Sequence, residues 1–191
     1  MMLARIGSRW GGLAAVPLIL AYASVAWAQA SISTETQANL FYKIATYDEN
    51  LPADVLRVGI AYPSTVVKRG LAIVSTFRAV GQMNVNGRRI EVLDVPLAHR
   101  DYIEAAFRTH RFYGVFVTAT TLSPEVALIR ESAKKYHVFT FAEDASRVAD
   151  GLTAAIAVEA DRRVIVLNMT AALEQDRKYD GNFIKACKVV K

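Results

Sequence analysis

The sequence predicts an α/β fold: a three-layer sandwich with a mostly parallel sheet plus a C-terminal antiparallel hairpin. Helical and strand-like segments alternate along the chain, with strands beginning near residues 55, 90, 114 and 137. Several of these strands are apolar on both faces, which is typical of strands buried between two helix layers. Near the end of the chain, strand-like runs at 152–159 and 163–168 are separated by a short charged turn, which favours a hairpin.

The first helix and the first strand carry clear local signals. Residues 34–50 place apolar side chains at helical spacing, and Pro52 ends this helix because the residue before a proline disfavours helical backbone. Residues 55–62 are a compact run of β-forming residues, which predicts strand one. Ser64 or Thr65 can then accept the hydrogen bond that caps the next helix.

The remaining elements follow from periodicity, turn residues and capping patterns. Ser123-Pro124-Glu125 indicates a helix start, since proline suits the first helical position and an acid suits the first turn. The other predicted elements are a turn at Asn86-Gly87, strands at 90–95, 114–119 and 138–141, and helices at 101–110, 169–179 and 182–190.

The first 28 residues have the composition of a cleaved secretory signal peptide. Arg5 and Arg9 form a basic start, an uncharged apolar run follows, and Ala26 and Ala28 are the small residues that a signal peptidase requires. The run is shorter than the roughly 20 residues that span a membrane. We therefore expect residues 1–28 to be removed and 29–191 to form one domain in the periplasm.

Composition argues against nucleic acid, metal and cofactor binding. The formal net charge is +5, and the basic residues are spread along the chain without aromatic interleaving. The three histidines lack the spacing of metal ligands, and no glycine-rich phosphate loop follows strand one. Cys187 is the only cysteine, so an internal disulfide cannot form, and its role stays open.

An enzymatic function is not expected either. Ser64, Asp94 and His99 are residue types of a catalytic triad, but the sequence around Ser64 is not a nucleophile elbow. No set of residues supplies a nucleophile, a base and a stabilising donor in a recognisable pattern. The sequence therefore predicts a binding protein without catalytic residues.

Polar side chains collect where predicted parallel strands end. Ser64 and Thr65 follow the first strand, and Thr118, Thr120 and Thr121 follow the third. Open α/β sheets bind ligands beyond the carboxyl ends of their strands. Hydroxyl groups next to a helix N-terminus favour an anion. These five residues form the predicted ligand site.

Four stretches of the chain match, in order and spacing, the pattern of a known family. They lie at 38–60, 85–90, 137–151 and 163–190. Through them the chain resembles the YfiR family of small exported α/β proteins. The resemblance implies a non-enzymatic periplasmic regulator that contacts a membrane signalling protein, such as a diguanylate cyclase or a histidine kinase, and it allows a homodimer.

Two surfaces are expected to contact such a partner. One is the exposed side of the first helix, with Tyr42, Lys43 and Thr46, and the other is the hairpin tip, with Asp161 and Arg162. An alternative function is a periplasmic protein that binds a small anionic molecule for sensing or transport. The threonine-rich strand ends favour this alternative.

Overall fold

The computed structural model describes residues 32–82 and 85–190. Its seven strands and six helices alternate over most of the chain, as the sequence predicts. The strands are β1 (Val55–Pro63), β2 (Arg89–Leu97), β3 (Gly114–Val117), β4 (Phe139–Ala142), β5 (Ala154–Glu159), β6 (Arg162–Asn168) and β7 (Lys188–Val190). The helices are α1 (Thr34–Ala45), α2 (Val67–Gly81), α3 (Arg100–His110), α4 (Ser123–Tyr136), α5 (Met169–Glu174) and α6 (Gly181–Ala186).

All seven strands belong to one sheet in the order β2-β1-β3-β4-β5-β6-β7. Strands β1 to β5 run parallel, β5 and β6 form an antiparallel hairpin, and β7 pairs parallel to β6. The carboxyl ends of β1 to β5 therefore share one edge of the sheet, which we call the carboxyl edge. The opposite edge is the amino edge.

Helices cover both faces of the sheet, which confirms the predicted three-layer sandwich. On one face, α1 and α2 bury Phe41 and Phe77 against β3 and β4, and α6 adds Phe183 to the same core. On the other face, α3 and α4 bury Phe107 and Ile129. Helices cover both faces of the sheet, so the strands between them carry apolar residues on both faces.

The joint between β1 and α2 is tightly packed. The Tyr62 ring at the end of β1 lies directly on Gly70 of α2, where an added Cβ would come within 2.3 Å of the ring. Tyr62 is buried, and its hydroxyl lies 3.4 Å from an Asp94 carboxylate oxygen on β2. Only glycine lets the first turns of α2 sit this close to the sheet.

The predicted helices near the C-terminal end are wrong in extent. The helix predicted at 169–179 ends at Glu174, since Asp176 has a positive φ of 55° and the Gln175 side chain turns inward to accept a hydrogen bond from the Thr140 amide. The helix predicted at 182–190 ends at Ala186. Residues 188–190 instead form β7, because they include two β-branched valines and find a strand partner in β6.

The amino edge is held by a buried ion pair that also shortens the first helix. Asp48 turns inward after α1, and its Oδ2 accepts hydrogen bonds from Arg177 Nη1 and the Tyr113 hydroxyl, each at 3.0 Å. The Asp48 Oδ1 accepts from two backbone amides. Arg177 donates further bonds to the carbonyl oxygens of Gln175 and His137. With Tyr179, whose ring is buried beside them, Asp48, Tyr113 and Arg177 form the amino-edge cluster.

The predicted signal peptide lies outside the described residues. Within 32–82 and 85–190, the structure has no helix long and apolar enough to cross a membrane.

Candidate ligand-binding site

The sheet topology creates a crevice between β1 and β3. The connection after β1 leads to α2 on one face, whereas the connection after β3 leads to α4 on the other. Such a reversal opens a gap at the carboxyl edge, and open α/β sheets bind their ligands there. We call this gap, bounded by 64–69, 118–122 and Glu143, the switch-point crevice.

The structure brings all five predicted ligand residues to this crevice. Ser64 and Thr65 lie on its β1 side, and Thr118, Thr120 and Thr121 lie on its β3 side. The two sides are joined at the base, where the Thr118 amide donates to the Ala61 carbonyl at 3.1 Å. All five residues therefore lie at the carboxyl ends of the two strands that flank the switch point, and their role in binding stays a prediction.

The threonine hydroxyls form a small cluster with spare hydrogen-bonding capacity. Thr118 Oγ1 lies 3.2 Å from both Thr120 Oγ1 and Thr121 Oγ1. Thr118 and Thr121 are buried, and Thr120 is exposed at the mouth of the crevice. Three hydroxyls carry three protons, and the two contacts among them use only two. One hydroxyl proton is left to donate to another acceptor.

The expected capping role of Ser64 and Thr65 is wrong. Both residues lie in a 3-10 turn that precedes α2, and the residue at the cap position is Val66. No side chain caps α2, because valine has no acceptor and the 3-10 turn moves both hydroxyls away from the first helical turn. The first amides of α2 consequently have no side-chain acceptor.

The charges in the first turn of α2 are the reverse of those that stabilise a helix. This turn contains Lys68 and Arg69 and no acidic residue. A helix N-terminus carries a partial positive charge and is stabilised by acids, so two cations there add to the positive potential. Local stability does not explain this arrangement, and departures of this kind are expected at functional sites.

Arg69 crosses the crevice to Glu143, the residue that follows β4. Arg69 Nη2 lies 2.7 Å from Glu143 Oε1, and its Nη1 lies 3.4 Å from Thr120 Oγ1. The other Glu143 oxygen accepts from the Ala119 amide at 2.7 Å. The Arg69 side chain is 41% exposed and that of Glu143 is 13% exposed, so the pair is accessible from the crevice.

Sequence reasoning missed Arg69 and Glu143. Arg69 lies on a helix that the sequence indicates through its apolar face, and Glu143 follows the short strand β4. The signal for Glu143 was present, since it is the first residue beyond β4 at the carboxyl edge. The signal for Arg69 was the pair of basic residues in a first helical turn.

Apolar surface borders the crevice. A shallow groove of about 510 Å³ runs along the start of α2, lined by Thr65, Val66, Val67, Lys68, Arg69 and Ala72. Leu71 on the same helix and Leu122 on the β3 side are large apolar side chains that remain exposed.

Arg147 holds the loop between β3 and α4 in place. Arg147 donates to the Thr121 carbonyl at 3.1 Å and to the Ser123 hydroxyl at 2.9 Å, and it pairs with Asp150 at 3.0 Å. Because these contacts fix the backbone on both sides of Leu122, the threonine hydroxyls keep defined positions.

The predicted contact surface on the first helix is wrong in one residue. Tyr42 is only 6% exposed, because its ring packs edge-on against Phe41 and Phe77 and its hydroxyl donates to the Phe77 carbonyl at 3.0 Å. Burial raises the pKa of its phenol far above the usual value. Lys43 is exposed and Thr46 is partly exposed, and both border a smaller groove of about 250 Å³.

The hairpin tip is an exposed turn, as predicted. Ala160 and Asp161 adopt positive φ angles of 46° and 62°, which fit a tight hairpin turn, and Arg162 begins β6. Asp161 and Arg162 lie at the carboxyl edge but beyond β4 and β5, so they are not part of the switch-point crevice.

Comparison with known proteins gives structural matches only. No protein-family model and no curated protein sequence matches the chain. The fold is similar to a conserved domain protein from Vibrio cholerae (TM-score 0.60, 11% identity, 83% of this chain and 60% of that chain). It is also similar to an ABC domain from Streptococcus pneumonia in complex with L-Trp (TM-score 0.59, 14% identity, 83% and 60%).

A third match is a substrate-binding protein with adhesive properties from Clostridium difficile in its ligand-free, open form. Its TM-score is 0.53 at 11% identity, with 84% of this chain and 60% of that chain covered. The chain thus spans about 60% of the length of each of these three proteins. At this level of identity the likeness establishes the fold.

These findings correct the family expectation. The predicted membership of the YfiR family is wrong, since no family model matches and the structural matches include ligand-bound and substrate-binding proteins. The role in cyclic-di-GMP signalling and the membrane cyclase or kinase partner were expected only from that membership, and these expectations are wrong as well. The alternative expectation, a protein that binds a small molecule, is not contradicted by these matches.

Proposed function

We propose that this chain is an exported, non-enzymatic protein that binds a small molecule through an anionic group held in the switch-point crevice. The observation that carries the proposal is the first turn of α2, where Lys68 and Arg69 add their charges to an uncapped helix N-terminus. An anion at this position would supply the negative charge that the chain itself omits from this turn.

The two sides of the crevice offer complementary donors. The β3 side supplies the spare threonine proton, and the β1 side supplies the hydroxyls of Ser64 and Thr65. Hydrogen bonds from neutral hydroxyls and a guanidinium to an anion are charge-assisted, and they are roughly twice as strong as neutral ones. The groove along α2 supplies apolar contact for the rest of the molecule.

The hydrogen bonds of the Glu143 carboxylate favour binding without catalysis. A hydroxyl nucleophile needs a base within hydrogen-bonding distance. The Glu143 carboxylate lies against Arg69 and the Ala119 amide, and no histidine borders the crevice within the described part of the chain. Recovery of a bound ligand in unchanged chemical form after prolonged incubation is the expected result.

The periplasmic location rests on the leader sequence and is tested separately. The intact mass of the protein recovered from the periplasm should correspond to a chain that begins at Gln29. A chain that retains residues 1–28, or one that stays in the cytoplasm, would contradict export.

The binding proposal is tested by calorimetry with a panel of carboxylates, phosphate and sulfate. At least one anion should bind the wild-type protein and raise its melting temperature, because a ligand at 100 times its Kd adds about 2.7 kcal/mol of stability. Arg69→Gln should weaken that binding by about 10- to 100-fold, since it removes a charged donor.

Arg108→Gln is the matched control. Arg108 lies in the last turn of α3 at the opposite edge of the sheet, so its removal changes the net charge equally without touching the crevice. Equal loss of affinity in both variants would mean that overall charge, and not this site, attracts the anion. The absence of binding by any of these anions and by any amino acid to the wild-type protein would overturn the proposal.

A further inference from the structure

The switch-point crevice contains a carboxylate of its own, and this limits which molecules it can accept. We infer, building on the proposed function, that the crevice selects a zwitterion: a molecule with a carboxylate and an ammonium group a few bonds apart. The inference rests on the Arg69–Glu143 pair and on the hydrogen-bonding capacity that remains around it.

Glu143 is poorly placed in a site for a simple anion. Its carboxylate lies 2.7 Å from the guanidinium of Arg69, and at 13% exposure it is only weakly screened by solvent. A bare anion that approaches Arg69 must also approach this carboxylate, and like charges at short range repel each other. A ligand that carries its own ammonium group converts this repulsion into attraction.

Arg69 and Glu143 both have hydrogen-bonding positions that are free for such a ligand. The Arg69 guanidinium has five N–H donors, of which one is committed at 2.7 Å to Glu143 and another makes a long contact of 3.4 Å to Thr120. The Glu143 carboxylate has about four acceptor positions, and the described residues occupy two of them. A carboxylate can therefore join Arg69 while an ammonium joins Glu143.

The threonine cluster completes the carboxylate side. Thr120 lies next to both Arg69 and Thr118. When Thr121 donates to Thr118 and Thr118 donates to Thr120, the Thr120 hydroxyl keeps its proton free beside the guanidinium. A ligand carboxylate placed there meets a cationic donor and a neutral donor together. On the other side of Arg69, the Glu143 carboxylate marks the position of the ammonium.

The groove along α2 indicates an apolar remainder. Val66, Val67 and Ala72 line it, and it begins at Arg69 itself. A zwitterion whose charged groups lie at Arg69 and Glu143 can extend an uncharged side group into this groove. The chemical class is therefore an apolar α-amino acid or a molecule with the same charged head.

The experiment compares molecules that differ by one charged group. Calorimetry on the exported protein is run with leucine, its deaminated acid 4-methylpentanoate and its decarboxylated amine 3-methylbutylamine, and with the corresponding phenylalanine set. At least one amino acid should bind about 10-fold or more tightly than both of its partners, since each partner lacks one charge-assisted contact.

Glu143→Gln separates the two charged contacts. It should weaken binding of that amino acid by about 10-fold or more and leave binding of the deaminated acid unchanged or stronger, because Arg69 loses its competing carboxylate. The wild-type comparison does not depend on this variant, so the inference stays testable even if Glu143→Gln folds poorly.

The outcomes separate this inference from the proposed function. If the deaminated acid or an inorganic anion binds as tightly as the amino acid, the inference is wrong and the proposed anion site stands. If Glu143→Gln leaves amino-acid affinity unchanged, Glu143 does not hold the ammonium and the inference is wrong. If neither the amino acids nor any anion binds the wild-type protein, both proposals fail.

Discussion

Two arginine–carboxylate pairs lie at opposite edges of the same sheet, and they differ in burial. At the amino edge, the Asp48 side chain is 0% exposed and that of Arg177 is 7% exposed. At the carboxyl edge, Glu143 is 13% exposed and Arg69 is 41% exposed. The N–O distances are similar, 3.0 Å and 2.7 Å. Geometry alone therefore does not distinguish the two pairs.

The pairs also differ in how completely their hydrogen bonds are satisfied. Asp48 accepts four hydrogen bonds, and Arg177 donates to Asp48 and to two backbone carbonyls. Arg69 and Glu143 retain unused donors and acceptors beside an open groove. The saturated Asp48 carboxylate is buried with its partner and holds the fold, whereas the accessible Arg69–Glu143 pair can exchange its contacts for a ligand.

The largest expected effect is at the amino edge. Asp48→Asn leaves the Arg177 guanidinium buried beside a neutral group, and removal of one partner of a buried pair costs about 3–5 kcal/mol. Urea denaturation at neutral pH should show this loss. Glu49→Gln is the matched control, since Glu49 pairs with Lys178 next to this cluster but in solvent, and no measurable change is expected. Similar losses in both variants would contradict the contrast between buried and exposed pairs.

Alkaline pH should lower the contribution of the amino-edge cluster to the free energy of unfolding. Burial raises the pKa of the Tyr113 and Tyr179 phenols well above the ordinary value. The folded state therefore keeps both protons when the unfolded chain loses them, so their contribution is complete below about pH 10 and declines above it. At pH 11 the loss should be on the order of 1 kcal/mol for each tyrosine. Urea denaturation at pH 9 and pH 11 measures it.

Tyr179→Phe is the control for the alkaline effect. Its hydroxyl oxygen is buried and has no hydrogen-bond partner among the described residues, so phenylalanine should not lower stability at neutral pH. It should remove only the Tyr179 part of the alkaline loss, to which Tyr42, Tyr62 and Tyr113 also contribute. An unchanged pH dependence in this variant would show that the Tyr179 phenol ionises without cost and that the amino edge admits water.

The sequence predicted the carboxyl edge better than the amino edge, and the reason is physical. Thr118, Thr120 and Thr121 follow a strand whose apolar run is easily seen, and strand ends of a parallel sheet share one edge. Asp48 lies in a polar stretch that resembles an ordinary loop, and its partner Arg177 is 129 residues away. No local pattern indicates such a contact, because only the tertiary fold brings these residues together.

Helix ends show the same limit. The alternation of helices and strands was enough to predict the three-layer sandwich, since periodicity is local. The final strand β7 was missed because residues 182–190 suit a helix until β6 offers them a pairing edge. Ser64 was taken for a cap because its residue type fits, and the 3-10 turn that moves it away depends on how α2 packs on Tyr62.

The smallest expected effect on stability is at the switch-point crevice, and it is the most informative. Arg69→Gln leaves Glu143 hydrogen-bonded to the Ala119 amide, and Glu143→Gln leaves the 41% exposed Arg69 side chain to solvent. Each variant should therefore change the free energy of unfolding by less than about 1 kcal/mol. Urea denaturation without ligand measures this change, with Asp48→Asn as the reference for a structural pair. A loss of 3 kcal/mol or more in either crevice variant would mean that the Arg69–Glu143 pair supports the fold as Asp48 and Arg177 do. The proposed ligand site would then lose its basis, because a pair that the fold requires cannot give up its contacts to a ligand.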